Sequence, residues 1–213
     1  TTILEQCGLY GQLCNQINRS PTGNLWQGTA GFVVDTTINL GSNKWEGIDL
    51  AYNWSVDGAG GTWTTNIIGT YMMSKETTPL PADKNSTYDC VGVISPRCYP
   101  SPDWRHTASV SYDSNEWWSL TARWRYFQGV DYDGSTDTIA QDEMSKNQNY
   151  FDLSAVFRFM GSHDIVVGVN NVFDKEPPMV GGTLSGPWGN ANTVAGFYDT
   201  LGRYLYANVT FRF

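Results

Sequence analysis

The 213-residue chain has no apolar run approaching the eighteen or more residues that a membrane-crossing helix requires. That excludes a helical membrane protein. It does not exclude a membrane β-barrel, whose strands alternate apolar and polar residues and leave a weak hydropathy signal. Basic residues are also scarce, with thirteen Lys and Arg against twenty-one Asp and Glu. A net charge of −8 and a pI near 4.6 exclude the basic footprint that nucleic acid demands. Histidine is nearly missing: His106 and His163 fall on different strand candidates. No Ser/His/Asp or Cys/His spacing marks a nucleophile, and no HxH or CxxC set marks a metal site. Gly58-Ala-Gly-Gly61 is not followed by a helical pattern, so it does not read as a phosphate loop. The chain is therefore expected not to be an enzyme, and to hold neither a metal nor a cofactor.

Four cysteines form two close pairs, Cys7/Cys14 and Cys90/Cys98, each in a turn-rich polar segment. Neither pair has the His or second Cys pair of a zinc site. Two short-range disulfides in an oxidising compartment are expected, which points to periplasm, outer membrane or exterior. Thr1 is not an initiator Met and no signal peptide precedes the first segment, so the chain is expected to be a mature product or a piece of something longer.

Aromatic residues are plentiful, with nine Trp, twelve Tyr and nine Phe, yet mean hydropathy is −0.36. The segment from Gly202 to Phe213 shows how both hold at once. Leu205, Ala207, Val209, Phe211 and Phe213 share one parity; Tyr204, Tyr206, Asn208, Thr210 and Arg212 share the other. Alternate side chains of a strand point to opposite faces, so one face here is apolar and the other almost wholly polar.

About seven such strands can be read from period two. The stretch near 35–56 sets Ile48, Leu50, Tyr52, Trp54 and Val56 on one face. The stretch 63–74 has Trp63, Ile67, Tyr71 and Met73 on that side, with Ile68 and Met72 as misfits. In 103–113, Trp104, Ala108, Val110 and Tyr112 oppose Arg105, Thr107, Ser109 and Ser111, and His106 is the misfit. Trp118, Leu120, Ala122, Trp124 and Tyr126 oppose Arg123 and Arg125 within 116–130. Phe151, Leu153, Ala155, Phe157 and Phe159 oppose Asp152 and Arg158 within 149–160, and Ile165, Val167 and Val169 oppose Gly168 and Asn170 within 164–173. Arg123, Arg125, Arg158 and Arg212 all fall on the polar side. A charge on a lipid-facing side would cost roughly 2–4 kcal/mol at the bilayer midplane.

Connections alternate between short turns at 57–61, 113–116 and 160–163 and long loops near 76–102, 131–148 and 174–201. Outer-membrane barrels alternate in this way, short on the periplasmic side and long outside. Aromatics gather toward both ends of the strands, as two interfacial girdles would require. Counting back from the last strand places the first strand's start outside the cell, which leaves residues 1–34 as the remnant of an extracellular loop. An odd count beginning outside cannot close alone in the usual way, so a fragment is expected.

Three segments carry a resemblance to a known family. Asp164-Ile-Val-Val-Gly-Val-Asn-Asn-Val-Phe-Asp-Lys-Glu-Pro-Pro178 resembles the penultimate strand and following loop of TonB-dependent outer-membrane receptors. Tyr198-Asp-Thr-Leu-Gly-Arg-Tyr204 through Phe213 resembles the family's ending. Asn39-Leu-Gly-Ser-Asn-Lys-Trp-Glu-Gly-Ile-Asp-Leu50 resembles its Asn…Gly-Ile-Asp strand. The residues that carry the match are Gly47, Asp49, Asn170, Asn171, Phe173, Asp174, Gly202, Arg203 and Phe213. The resemblance implies an all-β, antiparallel, up-and-down transmembrane barrel of about 22 strands, of which residues 35–213 would be about the last seven. It implies uptake of a ferric siderophore, cobalamin or saccharide, driven through TonB in the outer membrane of a Gram-negative bacterium. It also implies contact with outer-membrane lipid and lipopolysaccharide, and with the barrel-assembly machinery through the terminal strand and Phe213. The family's plug domain and TonB box are not visible, so the TonB complex would be met only through parts outside this sequence.

The matched residues also have physical readings. Gly47 and Gly168 leave room on the polar face for neighbouring bulk, and Asn170, Asn171 and Asp174 can bond backbone groups where strand gives way to loop. Pro177 and Pro178 stop the ladder. Trp26, Trp188, Tyr198 and the acidic loop around Asp131, Asp133, Asp137, Asp142 and Glu143 are candidate ligand contacts, though loop packing explains each equally well. Two other readings stay open. One is a complete small barrel, porin-like or adhesive, with Gly31-Phe-Val-Val34 supplying part of a further strand. The other is a soluble, Trp-rich, carbohydrate-binding β-sandwich.

Overall fold

The computed structural model describes residues 2–26, 29–35, 41–80, 83–133, 143–160, 163–181 and 192–212. The contacts divide the chain into two units, Thr1–Lys44 with Glu76–Asp89, and Trp45–Lys75 with Cys90–Phe213. The architecture is all-β and mostly antiparallel.

The first unit carries a helix, α1 (Thr2–Tyr10), and two short strands, β1 (Ile17–Asn18) and β2 (Phe32–Val33), paired antiparallel. The disulfide Cys7–Cys14 staples the helix to the turn after it. Such a small unit buries little apolar surface, and a cross-link compensates by restricting the unfolded chain.

Two long strands follow, β3 (Ser42–Gly58) and β4 (Gly61–Thr78). The far end of β4 pairs with β5 (Tyr88–Asp89) through Glu76↔Asp89 and Thr77↔Tyr88. Next come β6 (Val93–Ile94), β7 (Trp104–Asp113), β8 (Trp118–Phe127) and β9 (Asp131–Tyr132). The last three are β10 (Gln148–Phe159), β11 (His163–Asn170) and β12 (Tyr204–Thr210).

Seven of these strands form one meander in the order β12-β11-β10-β8-β7-β4-β3. They are the seven that the alternation predicts. The sheet described is open, with β3 and β12 at its edges, and no closed barrel is found among the described residues.

Register decides what the alternation builds. Trp63↔Tyr112, Tyr112↔Leu120, Leu120↔Ala155, Ala155↔Val167 and Val167↔Ala207 are successive cross-strand partners. The apolar parity of each strand therefore aligns with that of its neighbour, giving one unbroken apolar face. Among the described residues no second sheet covers it: Trp54, Trp63, Val110, Leu120, Trp124, Leu153, Val167 and Val209 are all exposed, and Leu205 is 81% exposed. Rings crowd both ends of this face. Trp63, Tyr112 and Trp118 touch at centroid distances of 4.8 and 5.3 Å toward the short turns. His106, Trp124 and Tyr126 cluster toward the long loops, with His106 4.4 Å from the first ring and 5.1 Å from the second. His106 fits here as an aromatic. Its Nδ1 accepts from the Trp104 indole at 2.9 Å, which places the proton of the neutral ring on Nε2.

The opposite face is polar and internally paired. Arg158 bonds Asp113 at 3.0 Å through Nη1, and Ser111 pairs with Thr121 at 2.8 Å. On this face Gly168 lies against the Tyr206 ring of β12, and Gly47 against the Tyr71 carbonyl of β4. Both glycines thus admit neighbouring bulk where a Cβ would collide.

Apart from Tyr150 of β10, the buried apolar residues described lie in the connections between the long strands. Ile94, Val130, Met144, Val180, Val194 and Tyr198 form one cluster, with Tyr99, Tyr132 and Phe197 packed on it. They come from the three long connections. β6 and β9 join two of these connections as a short parallel ladder, and Val130 N–H donates to the Met144 carbonyl at 2.8 Å. Cys90–Cys98 closes the first connection and Thr193 Oγ1 bonds the Pro178 carbonyl at 2.7 Å in the third.

Candidate functional site

The polar face meets the loop cluster at a network built on Asp152. Period two places Arg123 and Arg125 on the polar side of β8, and register sets Asp152 of β10 opposite Arg123. Asp152 Oδ2 accepts from Arg123 Nε at 2.8 Å and Arg125 Nε at 2.9 Å; Oδ1 accepts from Arg125 Nη2 at 3.0 Å and the Asn171 amide at 2.8 Å. Arg125 Nη2 also bonds Asp199 at 3.0 Å and its guanidinium lies 5.0 Å from the centre of the Tyr150 ring. The Asp152 side chain is only 5% exposed. A carboxylate so withdrawn from water is tolerable because both oxygens are saturated with donors. Two guanidiniums balance two carboxylates, so the network is locally neutral.

Of this network Arg123, Arg125 and Asp199 wall a cavity of about 300 Å³, together with Asn170, Phe197 and Tyr204. On the other side of Gly196 and Phe197 lies a second cavity of about 310 Å³, lined by Trp45, Thr70, Met72, Lys75, Tyr99 and Arg105 among others. Met72, out of pattern in the sequence, is one of its walls. Lys75 Nζ donates to Ser101 Oγ at 2.7 Å and sits 5.6 Å from the Trp45 ring centre. Lys75 lies on β4 beyond the rungs shared with β7, which end at Tyr71↔Trp104. Burial and the charge of Arg105 together hold its ammonium pKa below the ordinary value. Arg105 has no carboxylate within ion-pair distance among the described residues, whereas Arg123, Arg125 and Arg158 each do. Burial raises the pKa of the Tyr99 and Tyr198 phenols, so both stay protonated donors.

The motif residues largely serve the backbone. Buried Asn171, at φ 52°, accepts from the Lys175 amide at 2.8 Å and donates to the Lys175 carbonyl at 2.9 Å. Asp174 Oδ1 accepts from the Arg203 amide at 2.7 Å, and Gly202 (φ 66°) lies close beneath that carboxylate. Asp49 accepts from Thr70 Oγ1 at 2.9 Å. Phe173 stands exposed on the apolar side, edge-on to Phe151 at 5.5 Å. Phe213 lies outside the described residues.

Among the candidate contacts, Tyr198 is buried in the loop cluster and its ring backs the first cavity. Trp26 is exposed in the first unit. Asp131 and Asp133 are exposed and Glu143 pairs with Lys146 at 2.7 Å. Trp188, Asp137 and Asp142 lie outside the described residues. Asp152, Asp199, Lys75 and Arg105 were not singled out by sequence reasoning. The period-two pattern puts Arg105 on the polar face but Lys75 on the parity of Trp63, Ile67, Tyr71 and Met73, so it gives no sign that the two line one cavity. Among the described residues no group of three or more His, Cys, Asp and Glu is placed to hold a metal ion. Comparison with family models, with curated proteins and with solved structures finds no match.

Proposed function

We propose that this chain is the C-terminal part of the barrel of a TonB-dependent receptor in the outer membrane of a Gram-negative bacterium, active in uptake of a ferric siderophore, cobalamin or saccharide. The observation that carries this reading is the single apolar face that runs across seven strands with no second sheet against it among the described residues. Leaving each such side chain in water rather than burying it would cost roughly 1.5–3 kcal/mol, and hydrocarbon is the solvent that removes the cost. The paired charges on the opposite face suit a lumen, and loops that fold together at one end suit an external mouth. Open edges at β3 and β12 require further strands to close the wall. Barrel-assembly machinery would act through β12, and lipid and lipopolysaccharide would cover the apolar face. Coupling to TonB would use a plug and box outside this sequence.

The test is to refold the chain into vesicles whose acyl chains carry bromine and to follow tryptophan fluorescence. Quenching by the brominated chains, together with no SDS-resistant, heat-modifiable band, supports membrane-embedded strands of a larger barrel. An SDS-resistant band would mean a complete small barrel. A monomer freely soluble without detergent would mean the apolar face is covered by protein, as in a sandwich.

A further inference from the structure

The two cavities beside Gly196 and Phe197 differ in charge. In the first, Arg123 and Arg125 are neutralised by Asp152 and Asp199, so an added anion would meet carboxylates as well as cations. In the second, Arg105 is exposed and has no ion pair among the described residues, and its charge acts on Lys75 as repulsion. The nearest acid in sequence, Asp103, accepts from Gln128 Nε2 at 3.3 Å. A cationic pocket in a chain of net charge −8 is a local exception to the overall field. Its remaining walls include the rings of Trp45, Tyr99 and Phe197.

We infer that this cavity binds a small organic anion, with a carboxylate between Lys75 and Arg105 and a flat apolar body against Trp45, Tyr99 and Phe197. The guanidinium offers a planar fork that matches a carboxylate, and the ammonium adds a point charge. The anion relieves the repulsion between the two cations, and the rings bind the part that has no charge. The inference builds on the receptor reading only in taking this occupant for the transported ligand; the binding step does not need it.

The test is calorimetric titration of the full chain in detergent micelles with 2-naphthoate, and with 2-naphthamide as the neutral analogue of the same shape. Naphthoate is expected to bind about tenfold or more tighter than the amide, and to weaken as salt rises. Arg105→Gln and Lys75→Gln should each weaken naphthoate about tenfold, Arg105→Lys should restore part of the loss, and Arg158→Gln should change nothing. Equal affinity for acid and amide overturns the inference. So does unchanged naphthoate affinity in Arg105→Gln and Lys75→Gln proteins with the parent's circular dichroism. Absence of naphthoate binding in a chain that does enter brominated vesicles removes the anion site and leaves the receptor reading standing. Charge-dependent binding in a chain that stays soluble without detergent keeps the site and removes the receptor reading.

Discussion

Asp174 and Arg203, twenty-nine positions apart, are joined by one hydrogen bond from the Arg203 amide to Asp174 Oδ1 at 2.7 Å. It locks the exit of β11 to the entry of β12 and so fixes how the long connection between them leaves and returns. Asp174 sits at φ 54°, a conformation that Gly and Asn accept more readily than Ala. Asp174→Gly therefore isolates the hydrogen bond, and should lower stability by about 1.5 kcal/mol. Asp174→Asn, which keeps the acceptor, should lose less. Urea unfolding of the chain in micelles measures both.

Asp152 holds two arginines and the Asn171 amide with one carboxylate. Asp152→Ala strands two cations on a surface shaped for their partner and should destabilise by about 3–5 kcal/mol. The triple change of Asp152, Arg123 and Arg125 to apolar residues of similar size should recover much of that loss. A triple variant no more stable than Asp152→Ala would show that the network contributes more than charge compensation.

Gly168 faces the Tyr206 ring closely enough that a methyl group would collide with it. Gly168→Ala should cost about 1–3 kcal/mol through overpacking. Adding Tyr206→Ala should remove most of that cost, because the clash is with the ring and not with backbone. A double-mutant cycle reads the coupling directly.

Leu120 and Ser119 are adjacent on β8 and belong to opposite faces. Ser119 lies across from Asp113, while Leu120 joins the exposed apolar face. In vesicles Leu120→Arg should lose about 2–4 kcal/mol of refolding free energy, whereas Ser119→Arg should lose less than 1. Equal losses would show that the two faces meet the same solvent.

Replacing Cys90 and Cys98 by Ser opens a loop that contributes buried Ile94 to the cluster. Cross-links of this kind are worth about 2–4 kcal/mol. Proteolysis should then cut first between residues 90 and 103, with β7, β8 and β10 still protected as a sheet.

The faces of the sheet were legible because alternation is a property of the strand backbone itself. Ile48 through Val56, Trp118 through Tyr126 and Leu205 through Val209 all lie where parity put them. Strand ends were less legible, since partners far away set them. β4 runs on to Thr78 because its end pairs with β5, and β8 stops at Phe127, before Val130 enters the loop cluster. That cluster left no periodic trace. Ile94, Val130, Met144 and Val194 are single apolar residues in polar, irregular segments, and only the folded loops bring them together. The disulfides were readable because each links cysteines seven or eight positions apart. The Lys75–Arg105 cavity was not, because its third wall comes from residues 196 and 197.

The parallel pairing of β6 with β9 sets an order of events during folding. Each rung of the sheet between β7 and β8 closes a short hairpin, but Val93↔Asp131 can form only after both intervening strands are in place. Contacts that must wait for the closure of long loops form late. The loop cluster is thus the last part of the second unit to assemble, and both cavities that border it exist only once the sheet beneath is complete. A ligand that binds there would report on finished molecules alone, and would slow their unfolding more than it speeds their folding.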